Sequence, residues 1–359
     1  MFFIMSPFVA ELLLFCLYAS VCFFRGEGQI TLPKNVSVSA VLVFGDSFVD
    51  QGNNNYVNTL GKGNYLPYGK DFQGGKPTGR FSNGRTLPDF LAKALGVKDY
   101  LPPSLDPLIK DDDLQTGVSF ASGGSGFDPL TTTITTAIPM SVQLDMFKQY
   151  IGRLKRTIEE EGVNNIITNS VVVIVAGNND LFLSFPLRRP QYDVTAYSNM
   201  LVKLVLDFIQ EIHTLGVRRI VVFSAPSIGC LPEVRTISGG LLRNCGDEEN
   251  NAAQLYNSIL KQQLQIWASS FPQSKAVFVD YYNPFLSIIE SPHNYGFDVA
   301  DKGCCGLTGE IEVLYLCNKL TPTCPDDSKY FFWDGFHPTE KGYSIIVNHI
   351  LQDLVKTLF

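Results

Sequence analysis

Short, almost purely apolar runs recur along this chain, spaced widely enough to hold a helix between them. They are Val41 to Phe44, Val118 to Ala121, Val171 to Ala176, Ile220 to Ser224 and Ala276 to Val279. Continuous hydrophobicity, rather than in-and-out alternation, means burial on both faces, the environment of a parallel sheet covered by helices on each side. The stretches between the runs are amphipathic and supply those helices: Leu87 to Leu95, Val142 to Glu161, Ala196 to Leu215, Asp247 to Ser270 and a last one from Thr339 to Leu358. Gly96, Gly162 and Gly216 follow three of them, where a left-handed C-cap takes glycine. The region from Asp50 to Arg85 is rich in Gly, Asn and Pro, lacks periodicity and is expected to be a loop with at most short strands. Loops of that length in a compact domain are usually functional.

With 45% hydrophobic residues in 359 the chain can bury a large core, and no linker interrupts the pattern, so one domain over 26–359 is expected. A net charge of -7 excludes a surface for nucleic acid, which needs clustered cations; Arg188-Arg189 and Arg218-Arg219 are isolated pairs. Residues 1–25 are strongly apolar, densest from Leu12 to Phe24. That run is short for a bilayer span and placed like the core of a secretory signal, although Glu11 interrupts the stretch and no Lys or Arg precedes it. An uncleaved anchor is the competing reading. No later segment reads as a transmembrane span. Cysteine usage agrees with export: Cys16 and Cys22 fall in the leader, leaving Cys230, Cys245, Cys304, Cys305, Cys317 and Cys324 for three disulfides. Cys230 with Cys245 is a plausible local pair, and the remaining four would staple the segment before the C-terminal end. Their spacing lacks the short pairs of structural zinc sites. Asn35-Val36-Ser37 is a glycosylation sequon near the expected mature N-terminus.

In an open parallel sheet, ligands bind outside the carboxyl ends of the strands. Three polar insertions fall there: Gly45-Asp46-Ser47-Phe48 after the first run, Ser122-Gly123-Gly124-Ser125-Gly126 after the second, and Gly177-Asn178-Asn179-Asp180 after the third. A serine so presented can attack a carbonyl if a base takes its proton and donors receive the oxyanion. Backbone N–H groups of the glycine-rich turn and the Asn179 amide are suitable donors. Of the four histidines, His213 and His349 lie within helical patterns and His293 in an ordinary loop. His337 differs, preceding Pro338 at a helix start and following Asp334 by three residues, an offset that lets the carboxylate reach the imidazole Nδ1–H. A surface turn with a helix cap would read the same way.

Taken together, GDSFVDQGNN, FASGGSGF, GNND and the terminal DGFHPTEKGY, in that order, resemble plant GDSL esterase/lipases of the SGNH hydrolase superfamily, from Ala40 to the C-terminus. Phe48 stands where the family name has leucine. The resemblance implies a three-layer α/β/α sandwich with a mainly parallel sheet of about five strands, SGNH/flavodoxin-like. It also implies Ser47 as nucleophile, His337 as base, Asp334 as orienting acid, and an oxyanion hole from the N–H of Ser47, the N–H of Gly124 and the side chain of Asn179. The implied enzyme is a serine hydrolase acting on a lipid or small acyl ester; a secreted monomer is expected, and no motif suggests a cofactor or a metal. A non-catalytic binding protein on the same fold, and a cell-wall acyl esterase or acyltransferase, are the alternatives. Two other motifs are weaker. Ala225-Pro226-Ser227-Ile228-Gly229 approximates a nucleophile elbow, but Pro226 restricts the backbone where a strained turn is required. Gly63 to Lys70 lacks both the spacing and the hydroxyl of a phosphate-binding loop.

Overall fold

The structure, a computed structural model, describes residues 32–34, 36–306, 311–313 and 317–359. The leader at 1–25 and Asn35 lie outside the described residues. Four of the five apolar runs form a parallel sheet in the order β1 (Val41–Gly45), β2 (Val171–Val175), β3 (Arg219–Phe223), β4 (Lys275–Val279). Its register is regular, Val41 facing Val171 and Gly45 facing Val175. The remaining run, Val118 to Ala121, lies along the free side of β1. Val43 N–H donates to Val118 O at 3.1 Å and Phe120 N–H to Val43 O at 2.7 Å. It makes isolated bridges rather than a full strand. On its outer side Ser119 meets Pro102 and Pro103, which have no N–H to extend a ladder.

The helices of seven or more residues are α1 (Leu87–Ala94), α2 (Pro129–Thr135), α3 (Met140–Thr157), α4 (Glu160–Thr168), α5 (Val194–Thr214), α6 (Pro232–Ser238), α7 (Asp247–Ser270), α8 (Tyr282–Glu290) and α9 (Glu340–Leu358). Helices α3, α5 and α7 pack on one face of the sheet and α1 and α9 on the other, with α8 packed beside α9. Phe44 shows why: its ring stacks on Phe120 at 4.9 Å and meets Phe147 of α3 and Phe208 of α5 edge-on. The three-layer α/β architecture expected from the sequence is therefore present.

Two local expectations fail. The run from Val142 to Glu161 is two helices, because Ile158 and Glu159 are extended between α3 and α4. Gly162 accordingly lies inside α4 instead of capping a helix, whereas Gly96 (φ 72°) and Gly216 (φ 105°) do take the left-handed region. A second, two-stranded parallel sheet, β5 (Val299–Gly303) with β6 (Tyr330–Phe332), leads into the final loop and α9. Three disulfides, Cys230–Cys245, Cys304–Cys324 and Cys305–Cys317, use all six cysteines among the described residues. The loop 50–85 contains short helical turns at Asn53–Tyr56 and Gln73–Gly75 in place of strands. It is anchored by Arg80, whose guanidinium forms a buried two-pronged ion pair with Asp89 of α1 at 2.8 and 2.7 Å. Among the described residues, no helix is long and apolar enough to cross a membrane.

Candidate active site

Ser47 stands two residues beyond β1, where the chain must turn off the sheet. Gly45 makes that turn possible: at φ 139° a Cβ would lie 1.8 Å from Val175 O. Gln143 of α3 clamps the same residue, accepting from Gly45 N–H at 2.8 Å and donating to Gly45 O at 2.9 Å. Asp46 then ties the turn to β2, its carboxylate accepting from Phe48 N–H at 3.0 Å and from the Asn178 amide at 2.9 Å. Burial pushes the Asp46 carboxyl up to about 8, against the pull of those two donors.

The turn thus delivers Ser47 Oγ to 2.7 Å from His337 Nε2, across 290 residues of sequence. His337 Nδ1 lies 3.0 and 2.9 Å from the two oxygens of Asp334. All three side chains are buried. The Asp334 carboxylate also accepts from the N–H groups of Phe336 and His337 at 2.8 and 2.7 Å, so the three-residue offset closes a tight turn around it. Phe48, Phe81 and Phe336 surround the imidazole with ring centroids 5.1 to 5.6 Å away.

The glycine-rich loop arrives from the other side of β1. Gly124 has φ 90°, and a Cβ there would lie 2.9 Å from the Thr135 Cβ. A Cβ on Gly123 would strike the Phe81 ring at 2.5 Å, so both neighbours must be glycine. Asp180 holds this loop to the segment after β2. Its carboxylate accepts from Phe127 N–H, Asp128 N–H and the Thr131 hydroxyl at 2.9, 2.8 and 2.5 Å, while burial raises it to about 6. The Asn179 side chain donates one amide hydrogen to Ser125 O at 2.9 Å. Ser47, Gly124, Asn179 and His337 line one cleft of about 90 Å³, closed on its apolar side by Phe182, Leu183 and Phe336. A larger concavity of about 460 Å³, between β4 and α9, contains none of these residues, so size is no guide to the chemistry here.

Ser47, Gly124, Asn179 and His337 therefore line one cleft, and Asp334 backs it through His337. The rival Ser227 is fully buried, and among the described residues its hydroxyl has no hydrogen-bond partner and no base beside it. His213 packs against Trp267 and Phe271, and His293 lies beside Asp298. Sequence reasoning missed the roles of Gln143, Tyr68 and Asp50. The Tyr68 hydroxyl donates to Asp334 Oδ2 at 2.8 Å, and Asp50 accepts from Gly123 N–H at 2.9 Å. The motif around Asp50 carried a signal for it, but Gln143 and Tyr68 sit in segments with none. Among the described residues, no group of three His, Cys, Asp or Glu could hold a metal ion.

A serine, an imidazole and a carboxylate thus form one hydrogen-bonded series at the carboxyl edge of the open parallel sheet of an α/β protein. The comparisons with known proteins give the family. Residues 41–350 match the family model described as GDSL-like Lipase/Acylhydrolase. The chain is 46% identical over 329 residues to the GDSL esterase/lipase EXL3 of Arabidopsis thaliana, covering 91% of this chain and 90% of that protein. It is 41% identical over 353 residues to EXL2 of the same plant, covering 93% of each. The chain belongs to the GDSL-like lipase/acylhydrolase family, and with it to the hydrolases of carboxylic esters.

Proposed function

We propose that this protein is a secreted serine esterase or lipase in which Ser47, His337 and Asp334 act as nucleophile, base and orienting acid. The observation that carries the reading is the 2.7 Å contact between Ser47 Oγ and His337 Nε2, with Nδ1 of the same ring on Asp334. His337 takes the hydroxyl proton as Ser47 Oγ bonds to the ester carbonyl carbon, and the carbonyl π electrons move to oxygen. The N–H groups of Ser47 and Gly124 and the second amide hydrogen of Asn179 receive that oxyanion. Collapse expels the alcohol, which takes the proton from His337, and water then releases the acid by the same steps in reverse. A lipid or small acyl ester is the substrate, the apolar wall of Phe182, Leu183 and Phe336 accepting the acyl chain.

Export is supported by the three disulfides and by the apolar leader. In this reading 1–25 is removed, Asn35 carries a glycan, and 26–359 works as one monomeric domain. The decisive experiment is Ser47→Ala, assayed on a chromogenic butyrate ester and with a serine-reactive phosphonate. Turnover should fall by about 10⁴-fold or more and labelling should vanish, with the circular dichroism spectrum unchanged. Substantial residual turnover by the folded variant, or labelling elsewhere, refutes the assignment.

A further inference from the structure

A buried carboxylate offers about four acceptor sites, and leaving one empty in an apolar surrounding is costly. Asp334 fills three with Phe336 N–H, His337 N–H and the imidazole. The fourth is taken by a side chain 266 residues away in the sequence, the Tyr68 hydroxyl at 2.8 Å. We propose that Tyr68 is a positioning residue for the proposed triad: its hydroxyl fixes the Asp334 carboxylate and shares its negative charge with His337. The inference rests on the catalytic reading above and deepens it.

Three observations favour a role in the chemistry over simple satisfaction of a buried hydroxyl. First, Tyr68 is fully buried, and burial, with the Asp334 charge beside it, pushes its hydroxyl well above the ordinary tyrosine value. It therefore stays protonated and can serve Asp334 only as a donor. Second, the ring is fixed on both sides, edge-on to Tyr65 at 5.5 Å and to Phe81 at 6.1 Å, and Phe81 in turn lies 5.1 Å from the His337 ring. Third, the support is cross-linked. The Tyr65 hydroxyl donates to Cys317 O at 3.2 Å; Cys317 is bonded to Cys305, whose N–H donates to Trp333 O, one residue before Asp334. The donor to the carboxylate and the backbone carrying that carboxylate are thus held by one cluster of Tyr68, Phe81, Trp333 and the two disulfides.

A donor on Asp334 Oδ2, the oxygen that lies 2.9 Å from His337 Nδ1, competes with His337 for the same charge. Removing it leaves more charge facing the imidazole, which favours imidazolium in the free enzyme. The other titratable and charged groups around this array are Asp46 after β1, Tyr65 and Lys70 in the loop, Glu233 on α6, Tyr281 after β4 and Tyr343 on α9, and Tyr68→Phe removes none of them from the chain. In Tyr68→Phe, kcat should fall about tenfold with KM within about twofold, and the acid limb of kcat/KM should move to higher pH. Site-specific 3-fluorotyrosine at position 68, a stronger donor in nearly the same volume, should move that limb the opposite way, and it keeps the test open if Tyr68→Phe does not fold. A lowered melting temperature with unshifted acid limbs in both proteins would show a structural role only and overturn the inference. Ser47→Ala measured alongside separates the two claims. Activity there would sink the catalytic reading, whereas an inactive Ser47→Ala with a normal Tyr68→Phe sinks only the role given to Tyr68.

Discussion

The two halves of the site are built by different means. On one side Ser47 follows a strand whose Val41, Leu42, Val43 and Phe44 are completely buried, each side chain contributing about 1.5–3 kcal/mol of apolar burial. On the other, Asp334 and His337 follow β6, a strand of three residues, and lean on two disulfides and a few backbone bonds. Cys304 and Cys305 donate to Phe332 O and Trp333 O at 3.0 and 2.6 Å, and Trp333 N–H reaches His337 O at 2.7 Å. Ser47 is placed by a pattern that many sequences could satisfy, while Asp334 and His337 are placed by particular links. Damage to single links should therefore tell more on the second half than on the first.

Asp334→Asn is the sharpest way to test that half, and should have the largest effect. The asparagine can still accept from Phe336 N–H and His337 N–H, so the turn survives, but an amide facing Nδ1 stabilises the wrong tautomer. The expected fall in kcat is about 10⁴-fold with little change in unfolding temperature. Near-normal kcat would show that His337 is oriented by its backbone alone and would dissolve the contrast.

Removing a staple comes next. The Cys304–Cys324 and Cys305–Cys317 bonds close separations of 20 and 12 residues, each worth about 3 kcal/mol through the unfolded chain. Cys304→Ser with Cys324→Ser should lose activity at a lower temperature than Cys230→Ser with Cys245→Ser, whose bond closes a comparable loop of 15 beside α6. The measurement is the temperature of half-inactivation against that of global unfolding. Equal gaps in the two double variants would mean that the staples serve the whole fold and not the segment that carries Asp334 and His337.

The same contrast governs what could be read from the sequence. Strands β1 to β4 and the long helices were legible because apolar burial writes a period into the chain, and Ser47 and Asn179 were legible because strand ends tell where ligands bind. The break at Ile158–Glu159 was hidden, since Leu154 before it and Val163 after it are both buried and the apolar spacing runs on regardless. Strand β5, Val-Ala-Asp-Lys-Gly, carries no hydrophobic period, and β6 is too short to show one. Tyr68 was invisible for a deeper reason: its partner is fixed by tertiary packing of an aperiodic loop, and nothing local in Pro67-Tyr68-Gly69 refers to Asp334. Pairing of the last four cysteines belongs to the same category, because spacing permits several connectivities and only the path of β5 and β6 selects one.

The smallest expected effect concerns pH and falls on the sheet half. Three carboxyls are buried around the Ser47 turn: burial pushes Asp46 up to about 8, and Asp50 and Asp180 up to about 6. Each is raised in the folded protein above its unfolded value of about 4. Folded protein then keeps protons that the unfolded chain has released, so their contribution is greatest below about pH 4 and is lost as pH rises through 6 and then 8. The melting temperature should accordingly be higher at pH 5 than at pH 7.5. Asp46→Asn keeps an acceptor for Phe48 N–H and forces only the Asn178 amide to turn, so it should lower stability modestly and flatten the slope between those two pH values. Calorimetry of both proteins at the two pH values decides the point. A slope unchanged by Asp46→Asn would place the pH sensitivity outside the Ser47 turn, and a melting temperature rising toward pH 7.5 would mean that the N–H donors on these carboxylates outweigh their burial.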